Sequence, residues 1–187
     1  YANNDIDRGH LVRRRDPVWG TRDVAEQANE DTFHYTVCGP QTATLNQSKT
    51  LWLGLEDYVL EHARTYGQTI SVFSGCVFAD DDPVYRGVAI PRRFFKIAAW
   101  QQDDVLAATG YVLDQSESLA PILERGVLAR DIPPLGAYRT YQVPVADIAD
   151  ATDLAMPELT AADRLALVPG ARPVEWRELE GADDLVW

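Results

Sequence analysis

The fold is decided near the start of the chain by the stretch Asp5-Ile6-Asp7-Arg8-Gly9-His10-Leu11-Val12. An aliphatic residue between aspartates leads into a cation, a glycine and a histidine, which predicts that His10 lies at a strand edge beside a turn. Histidine accepts protons near neutral pH, and the adjacent Arg8 carries a permanent positive charge suited to phosphate. The pair points to phosphodiester chemistry, although a lone strand histidine is more often a hydrogen-bonded structural residue.

Several motifs follow this stretch in a fixed order. They are Cys38-Gly39-Pro40-Gln41, Leu45-Asn46-Gln47, Trp52 with Leu55-Glu56, Phe73-Ser74-Gly75, and Ile90-Pro91 with Phe94-Phe95-Lys96. Together with Asp7-Arg8-Gly9-His10 they resemble the DNA/RNA non-specific endonuclease family, the group that includes Serratia-type nuclease and mitochondrial endonuclease G. The resemblance implies an α+β fold of the ββα-metal (His-Me finger) type, with a central, mainly antiparallel sheet flanked by helices. It also implies metal-dependent cleavage of DNA, RNA or both with little sequence specificity.

The resemblance and the residue chemistry give the same candidate site. His10 is the expected general base, Arg8 the expected phosphate contact, and Asn46 the expected metal ligand through its side-chain carbonyl. A hard oxygen ligand with otherwise water-filled coordination suits Mg²⁺, and Mn²⁺ or another divalent ion is an alternative. Glu56 lies about 15 Å beyond Asn46 if one straight helix holds both. At that distance the two side chains could not bind the same ion directly. Either the helix begins after Asn46, or Glu56 acts on the ion through a water molecule, and we expect both to be true.

Two positions depart from the family pattern. Val37 stands where many members have an asparagine, and the gap between Asn46 and Glu56 is two residues longer than in the best-known members. We expect Val37 to face the metal cleft, and packing in the core is the alternative.

The charge distribution is compatible with a local basic cleft on a protein that is acidic as a whole. The net charge is −12, and residues 1–100 carry 11 basic against 13 acidic side chains, whereas residues 101–187 carry 6 against 16. Arg13, Arg14 and Arg15 follow the histidine motif and are candidate substrate contacts; a solvated face is an equally good interpretation. Arg86, Arg92, Arg93 and Lys96 form a second basic group.

We expect residues 1–187 to form a single endonuclease domain that lacks its N-terminal segment. Family members carry a substantial segment before the histidine motif, so that segment is expected to stay bound as a companion chain from the same gene product. No apolar run approaches the length of a membrane span, so no membrane partner is expected. Cys38 and Cys76 lack zinc-ligand spacing and are expected to be buried free thiols, with a disulfide between them as an alternative.

Hydrophobic periodicity predicts the remaining elements. We expect helices at 21–29 (or 23–29), 49–64, 145–152 and 160–167, a β-prone segment at 32–37 that Gly39-Pro40 ends, a central strand at 70–78, a hairpin of 94–100 with 105–113, and a strand at 138–143.

A nuclease is the leading hypothesis, and there are two rivals, of which the first belongs to a different class. Val37 and the acidic charge are compatible with a nuclease-like binding subunit that has lost turnover. A processed effector nuclease controlled by an inhibitor or regulatory protein is the second rival.

Overall fold

A computed structural model describes residues 5–47, 67, 69–125, 139–166, 176–179 and 184. Its strands are β1 (Ile6–His10), β2 (Cys38–Thr42), β3 (Ile70–Val77), β4 (Val84–Tyr85), β5 (Val88–Ala89), β6 (Arg93–Gln102), β7 (Val105–Asp114), β8 (Arg139–Val143) and β9 (Arg177–Glu178). Its helices are α1 (Arg22–Asp31), α2 (Ala43–Gln47), α3 (Ser116–Arg125), α4 (Val145–Thr152) and α5 (Pro157–Ala161), with a 3₁₀ turn at Tyr35–Val37.

An antiparallel sheet with the spatial order β3-β6-β7-β8-β9 is the centre of the fold. The hairpin of β6 and β7 is its middle, joined by Asp103 and Asp104, which both have positive φ, as two-residue hairpin turns require. β1 and β2 form a separate antiparallel pair, here called the β1–β2 ribbon. The expected α+β fold with a mainly antiparallel sheet flanked by helices is confirmed.

The sheet is buried on both faces, which explains the nearly continuous apolar run of β6. Phe95, Ile97 and Ala99 pack on one face with residues of α4. Phe94 packs on the other face with Leu45 of α2 and with Leu11, which directly follows β1. The second face therefore carries the β1–β2 ribbon and α2.

Several predicted elements are confirmed. The hairpin, the strand near 138–143 and the helix at 145–152 are present, and α1 has Thr21 as its N-cap residue and ends at Asp31. The predicted helix at 49–64, with Glu56 on it, lies outside the described residues. Within the described part, no helix has both the length and the apolar character needed to cross a bilayer.

Some predictions were wrong at the level of individual elements. Residues 32–37 form no strand, because the pairing with β1 begins at Cys38. β3 is an edge strand of the described sheet, not a central one, and Phe73 is accordingly exposed. The helix expected at 160–167 is instead the short α5, which ends at Ala161.

Pro40 lies inside β2, although Gly39-Pro40 was expected to end a strand. Its carbonyl accepts a hydrogen bond from the Gln115 side chain at 3.2 Å, so this edge of Pro40 faces away from β1. The N and C=O of one strand residue point to the same side, and the missing N–H therefore costs no bond to β1.

Candidate active site

The β1–β2 ribbon sets the position of the motif residues. Its register pairs Gly9 with Gly39 and His10 with Cys38, and the Leu11 N–H donates to the Val37 carbonyl at 2.9 Å just beyond the strands. His10 is the last residue of β1 and is half-buried, as the sequence predicted.

Both paired glycines are needed because other groups come too close for a side chain. A Cβ at Gly9 would lie 1.9 Å from Oε1 of Gln41, and a Cβ at Gly39 would lie 2.9 Å from Cε1 of Phe94. Gln41 is fully buried against Gly9, so a methyl group there has to displace the whole side chain. Gly9 therefore permits a close approach of Gln41 to the backbone of β1.

Asn46 is tied to the histidine strand by a side-chain hydrogen bond. Its Nδ2 donates to Oδ2 of Asp7 at 2.9 Å. An ionised carboxylate only accepts hydrogen bonds, so Asp7 fixes which end of the amide it meets and turns Oδ1 of Asn46 to the other side. The bond gives Asp7 a specific role, which is to orient the Asn46 amide.

Asn46 belongs to α2, which begins at Ala43 directly after β2. The helix expected at 49–64 lies outside the described residues, so where it begins relative to Asn46 stays a prediction. The Leu45 N–H donates to Oγ1 of Thr42, the last residue of β2, and the Leu45 side chain is buried. These two contacts hold the first turn of α2, and with it Asn46, against β2.

Arg8 and His10 are two residues apart on β1, on the same side of the strand, and both meet aromatic rings. The Arg8 guanidinium lies 4.9 Å from the centroid of the Tyr35 ring. The His10 ring meets Phe33 edge-on, with centroids 5.1 Å apart and an interplanar angle of 85°. These contacts orient the His10 ring and the Arg8 guanidinium from the segment just before β2.

The arginines after the motif have different environments. Arg14 lies 5.7 Å from the Phe33 ring centroid, and its Nε donates to Oδ1 of Asn29 at 2.7 Å. Arg13 is half-buried and Arg15 is exposed. Of the second basic group, Lys96 is only 5% exposed, so the expectation that it contributes to a basic surface is wrong.

A buried glutamine joins the ribbon to the sheet. Gln115, 0% exposed, accepts from the Thr42 N–H at 2.9 Å and donates to the carbonyls of Pro40 at 3.2 Å and Pro91 at 2.7 Å. Thr42 also exchanges a hydrogen bond of 2.8 Å with Ser118 of α3. Buried polar groups need such partners, so these bonds fix where β2 and α2 lie. Sequence reasoning missed Gln115, because its partners are far away in the chain.

Both cysteines are free thiols, and no disulfide joins them. Burial raises the pKa of the Cys38 thiol, an effect that the charge of Arg8 opposes. Burial, with a contribution from Asp82, raises the pKa of Cys76 to about 11. Both thiols are therefore protonated at neutral pH.

The oxygen donors near β1 suit a hard divalent cation. Oδ1 of Asn46 is a neutral ligand, and the adjacent Asp7 carboxylate adds negative charge beside it. Among the described residues, no three His, Cys, Asp or Glu side chains come together as a metal site. Such a donor set fits an ion that keeps most of its water shell, which is typical of Mg²⁺. Glu56 lies outside the described residues.

Comparisons with known proteins agree with this arrangement. The chain is similar to the uncharacterized protein y4fB of Sinorhizobium fredii (strain NBRC 101917 / NGR234), with 42% identity over 173 residues. The match covers 87% of this chain and 24% of that protein, so the chain spans about a quarter of this relative. The family model for DNA/RNA non-specific endonucleases matches residues 1–163, which includes the ribbon, α2 and the sheet up to β8. The chain therefore belongs to the DNA/RNA non-specific endonuclease family.

Proposed function

We propose that the protein is a Mg²⁺-dependent endonuclease that hydrolyses phosphodiester bonds of DNA, RNA or both with little sequence specificity. Membership of the family supports a non-specific nuclease, and this family generally depends on divalent metal ions. The observation that carries the proposal is the bond from Asn46 to Asp7, which ties an oriented amide oxygen to the strand of Arg8 and His10. The remaining parts of the mechanism are assigned to these residues by their chemistry.

In this mechanism His10 accepts a proton from the attacking water. The water oxygen forms a bond to phosphorus, the bond from phosphorus to the leaving oxygen breaks, and the leaving oxygen takes a proton from solvent. Neutral imidazole suits this task because its ordinary pKa lies close to neutrality. The edge-on contact with Phe33 supports the role, since it limits rotation of the His10 ring.

Arg8 binds the phosphate, and Asn46 with Asp7 holds the cation. The guanidinium of Arg8 is exposed and offers donors to two phosphate oxygens. A divalent ion, when bound, neutralises the charge that develops on the phosphate. Asp7 and His10 are three residues apart, about 10 Å along an extended strand, and their side chains leave it on opposite faces, so Asp7 acts on the cation through its bond to Asn46. Glu56 is assigned the role of orienting water by the resemblance alone.

Cleavage assays with matched variants test this proposal. Supercoiled plasmid and total RNA are incubated with the wild-type protein in Mg²⁺ or EDTA, and with His10→Ala, Asn46→Ala and the control His34→Ala, which replaces an exposed histidine. We expect Mg²⁺-dependent cleavage that His10→Ala abolishes and His34→Ala leaves intact. Asn46→Ala should raise the Mg²⁺ concentration needed for half-maximal rate and lower the maximum.

Two results would contradict the proposal. Equal cleavage by wild type and His10→Ala would remove His10 as the base, and unchanged Mg²⁺ dependence in a folded Asn46→Ala protein would move the metal site elsewhere. Binding of nucleic acid without cleavage would favour the binding subunit. A bound companion chain and a regulatory protein remain part of the proposal, and intact-mass analysis of natively purified material tests them.

A further inference from the structure

Two exposed aromatic rings lie directly beside the candidate base. Tyr35 is 70% exposed and Phe33 is 44% exposed, and both precede β2 in the segment that contacts Arg8 and His10. Single exposed apolar residues are ordinary on protein surfaces. These two rings differ because each is also contacted by an arginine, so the patch is both aromatic and cationic.

The geometry points to a nucleobase-binding surface. We propose that Phe33, Tyr35, Arg8 and Arg14, here called the stacking surface, bind unpaired bases of single-stranded DNA or RNA, so that the protein takes single strands in preference to duplex. This inference rests on the proposed function and names its substrate class.

The chemistry of the stacking surface matches that of an unpaired nucleotide. Bases stack on aromatic rings and on guanidinium planes regardless of their identity, because every base has a π face. The guanidinium groups lie 4.9 Å from the Tyr35 centroid and 5.7 Å from the Phe33 centroid, close enough for cation–π attraction. Their charge also suits the phosphates on either side of a stacked base.

The location connects this surface to the reaction. Phe33 contacts the His10 ring, and Tyr35 contacts Arg8, so a base on either ring brings its own phosphate towards the two groups assigned to hydrolysis. In a duplex the base faces are covered by neighbouring base pairs, and the rings can reach them only if a base leaves the stack. Single strands avoid that cost.

Two of the four acidic residues on the neighbouring helix α1 have local polar partners. Glu26 pairs with Arg22 at 2.7 Å, and Asp31 accepts from Gln27 at 2.8 Å and lies 3.6 Å from Nε2 of His34. These contacts reduce the repulsion that α1 would otherwise exert on a polyanion beside Tyr35.

Binding measured without catalysis tests the inference. In EDTA, fluorescence anisotropy is recorded for labelled strands of about twelve nucleotides: oligo(dT), oligo(U), an abasic strand of equal length and a duplex. The proteins are wild type, Tyr35→Leu, Phe33→Leu and the control Phe73→Leu, which replaces another exposed aromatic residue. Phe73 pairs with Ile97 and therefore lies on the opposite face of the sheet from the ribbon.

We expect wild type to bind both base-containing strands more tightly than the abasic strand and the duplex. Tyr35→Leu and Phe33→Leu should each weaken binding of oligo(dT) and oligo(U) by about fivefold or more, which corresponds to one lost stacked base. Binding of the abasic strand should not change, and Phe73→Leu should bind all four as wild type does.

The inference is overturned if wild type binds the abasic strand as tightly as oligo(dT). It is also overturned if the Tyr35 and Phe33 variants lose the same factor in affinity for the abasic strand as for oligo(dT). The cleavage assay separates this outcome from failure of the proposed function. Cleavage without base-dependent binding refutes the stacking surface alone, whereas base-dependent binding without cleavage supports the surface and refutes the endonuclease.

Discussion

The side-chain amide of Asn46 donates a 2.9 Å hydrogen bond to the carboxylate of Asp7, across 39 positions of the chain. One residue follows the ribbon and the other lies within it, so the bond closes the ribbon and α2 into one unit. It also determines which atom of Asn46 is available as a ligand, because the carboxylate accepts only from the NH₂ end.

Replacing Asp7 should therefore weaken metal use without removing a ligand. In Asp7→Ala the Asn46 amide is free to rotate, and the negative charge beside it is lost. We expect a higher Mg²⁺ concentration for half-maximal cleavage, with a smaller effect than in Asn46→Ala. The control is Asp23→Ala on the exposed surface of α1, which should titrate as wild type. An Asp7→Ala curve that coincides with the wild-type curve would show that Asp7 does not orient Asn46.

The hydrogen bonds of Gln115 make a prediction about stability. Gln115→Leu leaves the buried Thr42 N–H, the buried Pro91 carbonyl and the partly buried Pro40 carbonyl without this partner, and each buried unpaired group costs about 1–3 kcal/mol. We expect the free energy of unfolding in urea to fall by at least about 3 kcal/mol. Gln101→Leu, at an exposed position of β6, should change it by less than about 0.5 kcal/mol. Equal stability of the two variants would contradict the role of Gln115.

Cys76 should be the slower of the two thiols to react. Its pKa of about 11 leaves very little thiolate at pH 8, whereas the charge of Arg8 opposes the rise in the pKa of Cys38. Timed alkylation with iodoacetamide at pH 8, followed by peptide mass spectrometry, should label Cys38 first and both sites at similar rates in urea. Faster labelling of Cys76 in the folded protein would contradict this order.

Asp163 should make stability depend on pH in the acid range. Burial raises the pKa of Asp163 above its ordinary value of 3.8, although the N–H groups of Val145 and Leu165 oppose the rise. The folded state then holds the proton more tightly than the unfolded state. The resulting stability is fully present below pH 3.8 and is lost as the pH rises through the higher folded pKa.

The measurement compares wild type with Asp163→Asn, which cannot titrate there. Urea unfolding at a series of pH values should show wild type losing stability relative to the variant as the pH rises above 3.8, and a constant difference once Asp163 is ionised in both states. A relative gain for wild type over that interval would mean that the N–H donors outweigh burial.

Local sequence patterns were sufficient for much of the fold. The β6–β7 hairpin and α4 follow from apolar periodicity, because each has neighbours close in the chain. The strand position of His10 also followed from residues within a few positions.

The remaining features depend on partners far away in the sequence. Pro40 is accommodated in a strand because its carbonyl faces away from β1, where it accepts a hydrogen bond from the Gln115 side chain, 75 positions later. The role of Asp7 requires Asn46, and the burial of Lys96 requires the sheet around it. Periodicity describes one element at a time, so it does not reveal these relationships.

The division between ribbon and connecting segment has an evolutionary consequence. The Gly9–Gly39 pair and the bonds of Gln115, which align β1 with β2, lie inside the strands or behind them, and the Leu11–Val37 bond continues the pairing only one residue beyond them. Residues 11–37, which carry Phe33 and Tyr35, join the two strands as one long excursion. Insertions or deletions in that excursion can change what the surface recognises while the strand alignment stays the same. Substrate preference can therefore diverge between relatives faster than the hydrolytic residues do.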